Sequence, residues 1–511
     1  MQAAHRVAKN TGILYARMAI TVFISLYATR LVLAALGVAD FGLFNVVGGV
    51  IAMLGFLNSS MAQATQRFMS FAQGEGDLEK VKRIFNMSTL LHAGIGVLMV
   101  LVLEIAGYFF FNGILNIATD RLEVAKIIYH FMVASTFFTV LSVPYEAVIT
   151  SHENMLFYAI LGILESLLKL GIALYITYSS YDHLVVYGFL MTALSIFLLL
   201  LRRIYCHRNY VECVLNFRKY YEKSLLKEMT SFAGWSLLGS STSMGAFYGQ
   251  TLVINFFFGT VVNAAQGIAA QISGQLGAFA LTMSKALNPV IGKSEGAGNR
   301  ERTLRATLLG TKISFFLLGI FYLPFIIEMP YILHLWLKNV PEYTVIFCNL
   351  LLFRNLIEQL FIPLSEAITA VGNIKDFQKI SAILNVTPIV AAFIFFSVGL
   401  PAYSIYIAFI LFSVVQFFNV IHFAKLNCSL IPSLFYKEIA SKSVLVFILS
   451  IIIGFIPNIL MNESLFRLFI VIAIGGLSYL IFMWFIGLEE DERNMISNLK
   501  KSVVLKIKRN N

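Results

Sequence analysis

The chain has 511 residues, of which 59% are hydrophobic and only 13% charged, with a mean hydropathy of +0.81. No soluble core needs that much apolar surface, so the bilayer is the expected solvent and a soluble enzyme is excluded. The net charge of +11 is accounted for by unevenly placed Lys and Arg beside anionic headgroups, and a nucleic-acid partner is not expected.

In chain order, ~14 apolar segments of about 20 residues follow one another. They centre near residues 22, 53, 97, 137, 166, 193, 244, 276, 317, 357, 388, 412, 452 and 476. The first is too long for a cleaved signal peptide and lacks a small-residue cleavage site, so it is expected to remain. Residues 229–284 carry no Asp, Glu, Lys or Arg. As one helix they would run roughly 84 Å against a hydrocarbon core of about 30 Å, so the segment must cross twice, with GTVVN (259–263) as the turn. The charge-free stretch 380–423 breaks similarly at GLPAYS (399–404).

Alternate loops hold 27 of the 38 Lys and Arg: Arg6 and Lys9; Lys80, Lys82 and Arg83; seven between Arg202 and Lys227; Lys293, Arg300, Arg302 and Arg305; and so on to the C-terminal tail. The opposite loops hold essentially Arg121 and Lys338. By the positive-inside rule both termini are expected in the cytoplasm. Cys206, Cys213, Cys348 and Cys428 form no CxxC pair and suggest no disulfide framework.

The basic loop GEGDLEKVKR (74–83) is written again as GAGNRERTLR (296–305). At the same offset of 222, Gly12 pairs with Gly234, Gly37 with Gly259, Gly76 with Gly298 and Arg83 with Arg305. Further on the offset is 219, aligning PYEAVITSHEN (144–154) with PLSEAITAVGN (363–373). Six spans lie between equivalent points, an even number, so the copies face the same way: a parallel repeat, the plan of an alternating-access transporter. The expected fold is all-α: two six-helix lobes plus two C-terminal helices. Its divisions are a first lobe (1–204), a basic linker (205–229), a second lobe (230–424), two further spans (425–487) and a charged tail (488–511).

The second span and its repeat partner, the eighth, are rich in Gly, Ala and amides. Amides are costly in hydrocarbon, so Asn58, Gln63, Gln271 and Gln275 are candidate liners of a watery cavity. Small-residue helix packing is the rival reading, and GAFYG (245–249) fits it. Arg17, Arg30, Arg67 and Lys285 are intramembrane cations suited to an anionic, phosphate-bearing group. Snorkelling to the interface competes; it is favoured for Arg30 and Arg67, and a cavity for Arg17 and Lys285. Lys126 and Lys312 lie near span ends and are expected to snorkel. Glu165 with Lys169, and Arg354 with Glu358, stand four apart on a helix face and can neutralise each other. Glu146 and Glu366 follow matching prolines and either carry a coupling proton or serve as structural carboxylates.

There is no GxxxxGK[ST], HExxH or GxSxG, so no enzyme, nucleotide, metal or cofactor is expected. The largest external loop, about 328–343, is too small to house a polymerase or transferase site. LEEDE (488–492) reads as a solvated face.

At TRLVLAALGVADFGLFNVVGGVIAMLGFLNSSMAQATQRFMSFAQGEGD (29–77) the sequence resembles bacterial polysaccharide flippases, the O-antigen and capsule translocases. These share a superfamily (MOP) with the MATE multidrug antiporters and the lipid II flippase. The resemblance implies movement of undecaprenyl-pyrophosphate-linked oligosaccharide to the outer leaflet of the inner membrane. It implies a cavity lined by spans 1, 2, 7 and 8, and neighbours among polymerase and assembly proteins. A monomer among membrane lipids is expected. The first span lacks the carboxylate that many multidrug antiporters carry there, which leaves the energy source open. The alternative is an ion-coupled multidrug or small-molecule antiporter of the same fold.

Overall fold

The computed structural model describes residues 2–52, 55–114, 121–337 and 339–494; those residues form helices joined by short turns, with no strand among them. In chain order the helices are α1 (Gln2–Ala52), α2 (Gly55–Glu75), α3 (Leu78–Phe109), α4 (Leu122–Ser151), α5 (Met155–Thr177), α6 (His183–Asn209) and α7 (Phe217–Tyr220). Then come α8 (Lys223–Gly296), α9 (Arg300–Trp336), α10 (Thr344–Gln359), α11 (Ile362–Val371), α12 (Lys375–Ser397), α13 (Ser404–Cys428), α14 (Pro432–Phe435), α15 (Ser441–Leu460) and α16 (Leu465–Phe482).

Among the described residues, eleven helices are long and apolar enough to cross a membrane, or twelve when the bent pair α10–α11 counts as one span. α8, at 74 residues, carries two of the expected spans and is counted once. Thirteen of the fourteen expected centres fall in these helices; the remaining one, residue 53, lies outside the described residues. The outer surface fits a hydrocarbon solvent, with Phe23, Phe256 and Ile459 each at least three-quarters exposed.

The duplicated sequence gives duplicated geometry. The two longest helices each break once, at Gly37 (φ 75, ψ 170) and Gly259 (φ 77, ψ −170), which are 222 apart. Positive φ with extended ψ is essentially a glycine-only conformation, so the expected GTVVN turn is set by a single residue. Within the basic loops, Gly76 and Gly298 again share positive φ. Asp77 then caps α3 by accepting from the Lys80 amide, and Asn299 caps α9 by accepting from the Arg302 amide. At the other offset, Glu153 (φ 58) and Gly372 (φ 98) occupy equivalent left-handed positions.

The chain divides into two compact units. One comprises Lys9–Ser240 with Gly292–Gly298; the other comprises Met1–Ala8, Ser241–Ile291 and Asn299–Asn511, so far as these are described. The basic segment after α6 is packed into the first unit: Asn86 on α3 donates to Val214 O and accepts from the Asn216 amide. On the side away from the basic loops, Arg121 grips Asp40 and donates to Asp182 at 2.6 Å, tying the start of α4 to the break in α1 and the start of α6.

In the second unit α9 is the spine. Glu328, fully buried where α9 is distorted (φ −105, ψ 17), accepts from Arg467 at 2.7 Å. Sixteen residues earlier Lys312, 2% exposed, donates to Glu489 and Glu492 at 3.1–3.2 Å. Between these clamps α15 and α16 pack closely, with Leu323 against Gly454 and Gly475, and Tyr479 against Gly319. The two helices outside the repeat are thereby tied to α9 at both ends.

Three sequence expectations are corrected here. Lys312 does not snorkel, because the acidic tail supplies its partners inside the fold. LEEDE is accordingly not merely a solvated face. The loop expected at 328–343 is helical through Trp336, because the α9 core continues past Pro324 and Pro330.

Candidate functional site

In the first unit α1 brings Arg17 against α5. An ideal Cβ on Gly162 would fall 2.1 Å from Arg17 Nε, so the missing side chain makes room for the guanidinium. The guanidinium carbon lies 4.6 Å from the centre of the Tyr158 ring. Arg17 has no carboxylate partner and no hydrogen bond among the described residues, and its Nε is buried without an acceptor. One turn along α5, Glu165 and Lys169 are already spent on each other at 2.7 Å. The result is an uncompensated cation in a span, held by an aromatic face and a glycine gap.

Asn58 and Gln63 on α2 are half-buried, while Gln271 and Gln275 on α8 are exposed. Among the described residues none of these four side chains is hydrogen-bonded, and Asn58 Oδ1 is buried without a partner. Amides with unspent donors and acceptors are unfavourable against acyl chains and favour contact with water.

The other candidates are placed differently. Arg67 is enclosed by aromatic rings, with Phe68, Phe71 and Phe232 centred 4.7, 5.0 and 5.2 Å from its guanidinium carbon. Arg30 is exposed on α1 and Lys285 is exposed on α8. Glu146 and Glu366 are half-buried on α4 and α11.

A feature not anticipated lies where the end of α2 meets the segment Gly292–Gly298 within the first unit. A Cβ on Gly74 would sit 2.1 Å from Lys293 O, and one on Gly296 would sit 1.9 Å from Phe71 O. Gly292 meets Ser70 between them. Residues 71 and 293, and 74 and 296, are equivalent in the repeat, so the crossing is two-fold symmetric and backbone lies on backbone. Its signal was in the sequence, since Gly74 and Gly296 are aligned copies.

Polar groups surround this crossing. His152 Nε2 lies 2.5 Å from Glu212 Oε1, Gln73 donates to Ser151 at 3.0 Å, and Lys293 donates to Glu153 at 3.3 Å. Burial pushes the Glu212 carboxyl up, but hydrogen bonds from His152 and Gln73 outweigh it and hold the group below the usual carboxylate range.

In the second unit, Asn355 on α10 donates to Ser273 on α8 at 2.7 Å and to Tyr322 on α9 at 3.1 Å. Arg354 Nε donates to Glu358 at 2.8 Å and to Ser413 on α13 at 3.3 Å. α10 ends at Gln359, and a 41° bend separates it from α11. Sequence spacing found the Arg354–Glu358 pair; it could not find Ser413 or the link to α8.

No model of a known protein family matches the sequence, and no curated protein matches it. Solved structures do match. A crystal structure of MATE in complex with MaL6 aligns with TM-score 0.71 at 16% identity, covering 84% of this chain and 96% of that one. An outward-facing multidrug resistance MATE family transporter of the MOP superfamily aligns at 0.70 and 16%, covering 83% and 95%. A MOP superfamily transporter from Pyrococcus furiosus, described by the reverse polarity of its binding pocket, aligns at 0.70 and 16%, covering 84% and 96%. The fold is that of the MATE transporters of the MOP superfamily. At this identity the likeness establishes architecture.

Proposed function

We propose that this protein is a flippase for lipid-linked glycan. It moves undecaprenyl-pyrophosphate-linked oligosaccharide from the cytoplasmic to the outer leaflet of the bacterial inner membrane by alternating access. The observation that carries this reading is Arg17, a membrane-embedded guanidinium without a carboxylate partner among the described residues. Such a cation is poorly suited to a cationic drug and well suited to a pyrophosphate. The unpaired amides of Asn58, Gln63, Gln271 and Gln275 supply neutral donors and acceptors for sugar hydroxyls. Lys285 adds positive charge on α8, while Arg30 and Arg67 serve better as anchors, one exposed and the other held by three rings. Glu146 and Glu366 are the carboxylates assigned to ion coupling in this reading. The lipid tail stays in the bilayer during transfer, both termini lie in the cytoplasm, and the chain works as a monomer beside polymerase and assembly proteins. No catalysis is assigned to it.

The second reading, an ion-coupled multidrug antiporter, is favoured by the multidrug resistance transporter among the similar structures. Leaflet accessibility of a lipid-pyrophosphate-linked oligosaccharide in proteoliposomes separates the two. Protein-dependent exposure that is lost in Arg17→Ala or Lys285→Ala supports the flippase. Unchanged exposure in both variants overturns the cationic site. Transport of a cationic dye under an ion gradient, with no glycolipid movement, installs the antiporter instead.

A further inference from the structure

The Arg354–Glu358 pair is more than the charge neutralisation its spacing suggests. Both residues lie in the last turns of α10, before the bend that interrupts this span, and their side chains are 24% and 23% exposed. All of the pair's hydrogen bonding is concentrated on one edge. Arg354 Nε donates to Glu358 Oε1 and to Ser413, and the Ser413 hydroxyl donates to the same Oε1 at 3.1 Å. Phe409 covers one face of the guanidinium at 4.6 Å. Nη1 and Nη2 have no protein partner among the described residues and are not buried. A half-buried charged fork on a membrane span is stable when it meets water or a polar ligand, and costly when it meets acyl chains.

The other lobe shows what this helix crossing needs for folding alone. At the offset of 219, Arg354 corresponds to Ser135 and Glu358 to Thr139. There the equivalent α4–α6 crossing is closed by two hydroxyls, Ser135 and Ser195, at 2.6 Å. The charged pair in the second lobe is therefore an addition to a crossing that a neutral hydrogen bond can make.

We propose that Arg354 is a phosphate-binding residue, and that Glu358, by holding Nε, is the positioning residue that aims the open Nη1–Nη2 edge. That edge matches two phosphate oxygens. The Asn355–Ser273 bond connects the turn carrying this fork to α8, so occupancy is communicated to that helix. Tyr322 on α9 and Tyr406 on α13 are the other titratable groups that feel the pair. As a subsite for the cargo this rests on the flippase reading, while its binding test does not require transport.

The test is calorimetric titration of inorganic pyrophosphate into the full-length protein in nanodiscs, repeated on an Arg17→Ala background to remove the first-unit cation. Arg354→Gln is expected to weaken binding about tenfold or more. Glu358→Gln keeps an acceptor for Nε but removes the nearby negative charge, and is expected to tighten binding by a similar factor. Equal affinity in both variants and the parent overturns the proposal. The double variant R354S/E358T carries the residue types of the other lobe and is expected to fold with an unchanged melting temperature while losing this binding. A large drop in its melting temperature makes the pair a structural brace and also overturns the proposal. Undecaprenyl pyrophosphate in the nanodisc then identifies the source: competition with inorganic pyrophosphate assigns the site to the lipid-linked cargo, and absence of competition assigns it to free phosphates. Failure of glycolipid movement with binding intact would sink the flippase reading and leave this site standing.

Discussion

Replacing Gly296 with alanine tests the symmetric helix crossing directly. The new Cβ would begin 1.9 Å from Phe71 O, and ordinary contact starts at 3.4 Å, so the two chains must part by about 1.5 Å. The obstruction is backbone, and no rotamer change relieves it. Overpacking of this kind costs about 1–3 kcal/mol. Gly74→Ala meets Lys293 O at 2.1 Å and carries a similar penalty. One outward movement relieves both clashes, so the double variant should cost less than the two singles together, by roughly 1 kcal/mol. Gly12→Ala is the control, since nothing lies within 4 Å of its Cβ and a helix-interior alanine is favoured. Unfolding in lipid nanodiscs, followed by tryptophan fluorescence against denaturant, reads the four variants beside wild type. Wild-type stability of Gly296→Ala, or strictly additive losses, would refute the symmetric backbone contact.

Three further outcomes follow from buried charges. Glu328→Ala leaves Arg467, which is 7% exposed, with only Glu463 at 3.9 Å as a carboxylate and should cost about 3–5 kcal/mol, whereas Glu328→Leu combined with Arg467→Met should recover most of it; an equal loss in both variants would count against the pair. Lys312→Met leaves behind Glu489, 47% exposed and able to rehydrate, and Glu492, only 18% exposed, and should cost about 1–3 kcal/mol; loss of the C-terminal helices to proteolysis would mean that the clamp is stronger than this. The depressed Glu212 carboxyl contributes stability that is present above the ordinary carboxylate value of about 4.3 and is lost as pH falls through its lower folded value. The stability advantage of wild type over Glu212→Gln should therefore shrink between pH 7 and pH 3, and a gap independent of pH would contradict the assignment.

Composition and periodicity determined the solvent, the helical class, the positions of the spans and the duplication, because each is local or repeats at fixed spacing. The turn expected at GTVVN coincides with the break at Gly259, and its repeat partner Gly37 breaks the other long helix, since only glycine tolerates that backbone. The (i, i+4) pairs Glu165–Lys169 and Arg354–Glu358 were legible for the same reason: helix geometry alone brings them together. What needed the tertiary structure was every contact between distant segments. Lys312 looked like an interfacial snorkeller until the acidic tail, more than 170 residues later, was found beside it. Arg67 and Arg17 were both intramembrane cations in sequence, one expected to snorkel and the other to face a cavity; packing surrounds Arg67 with three rings and leaves Arg17 without a carboxylate partner among the described residues. Whether a membrane charge is structural or available depends on what the fold places across from it, and that is decided by long-range packing.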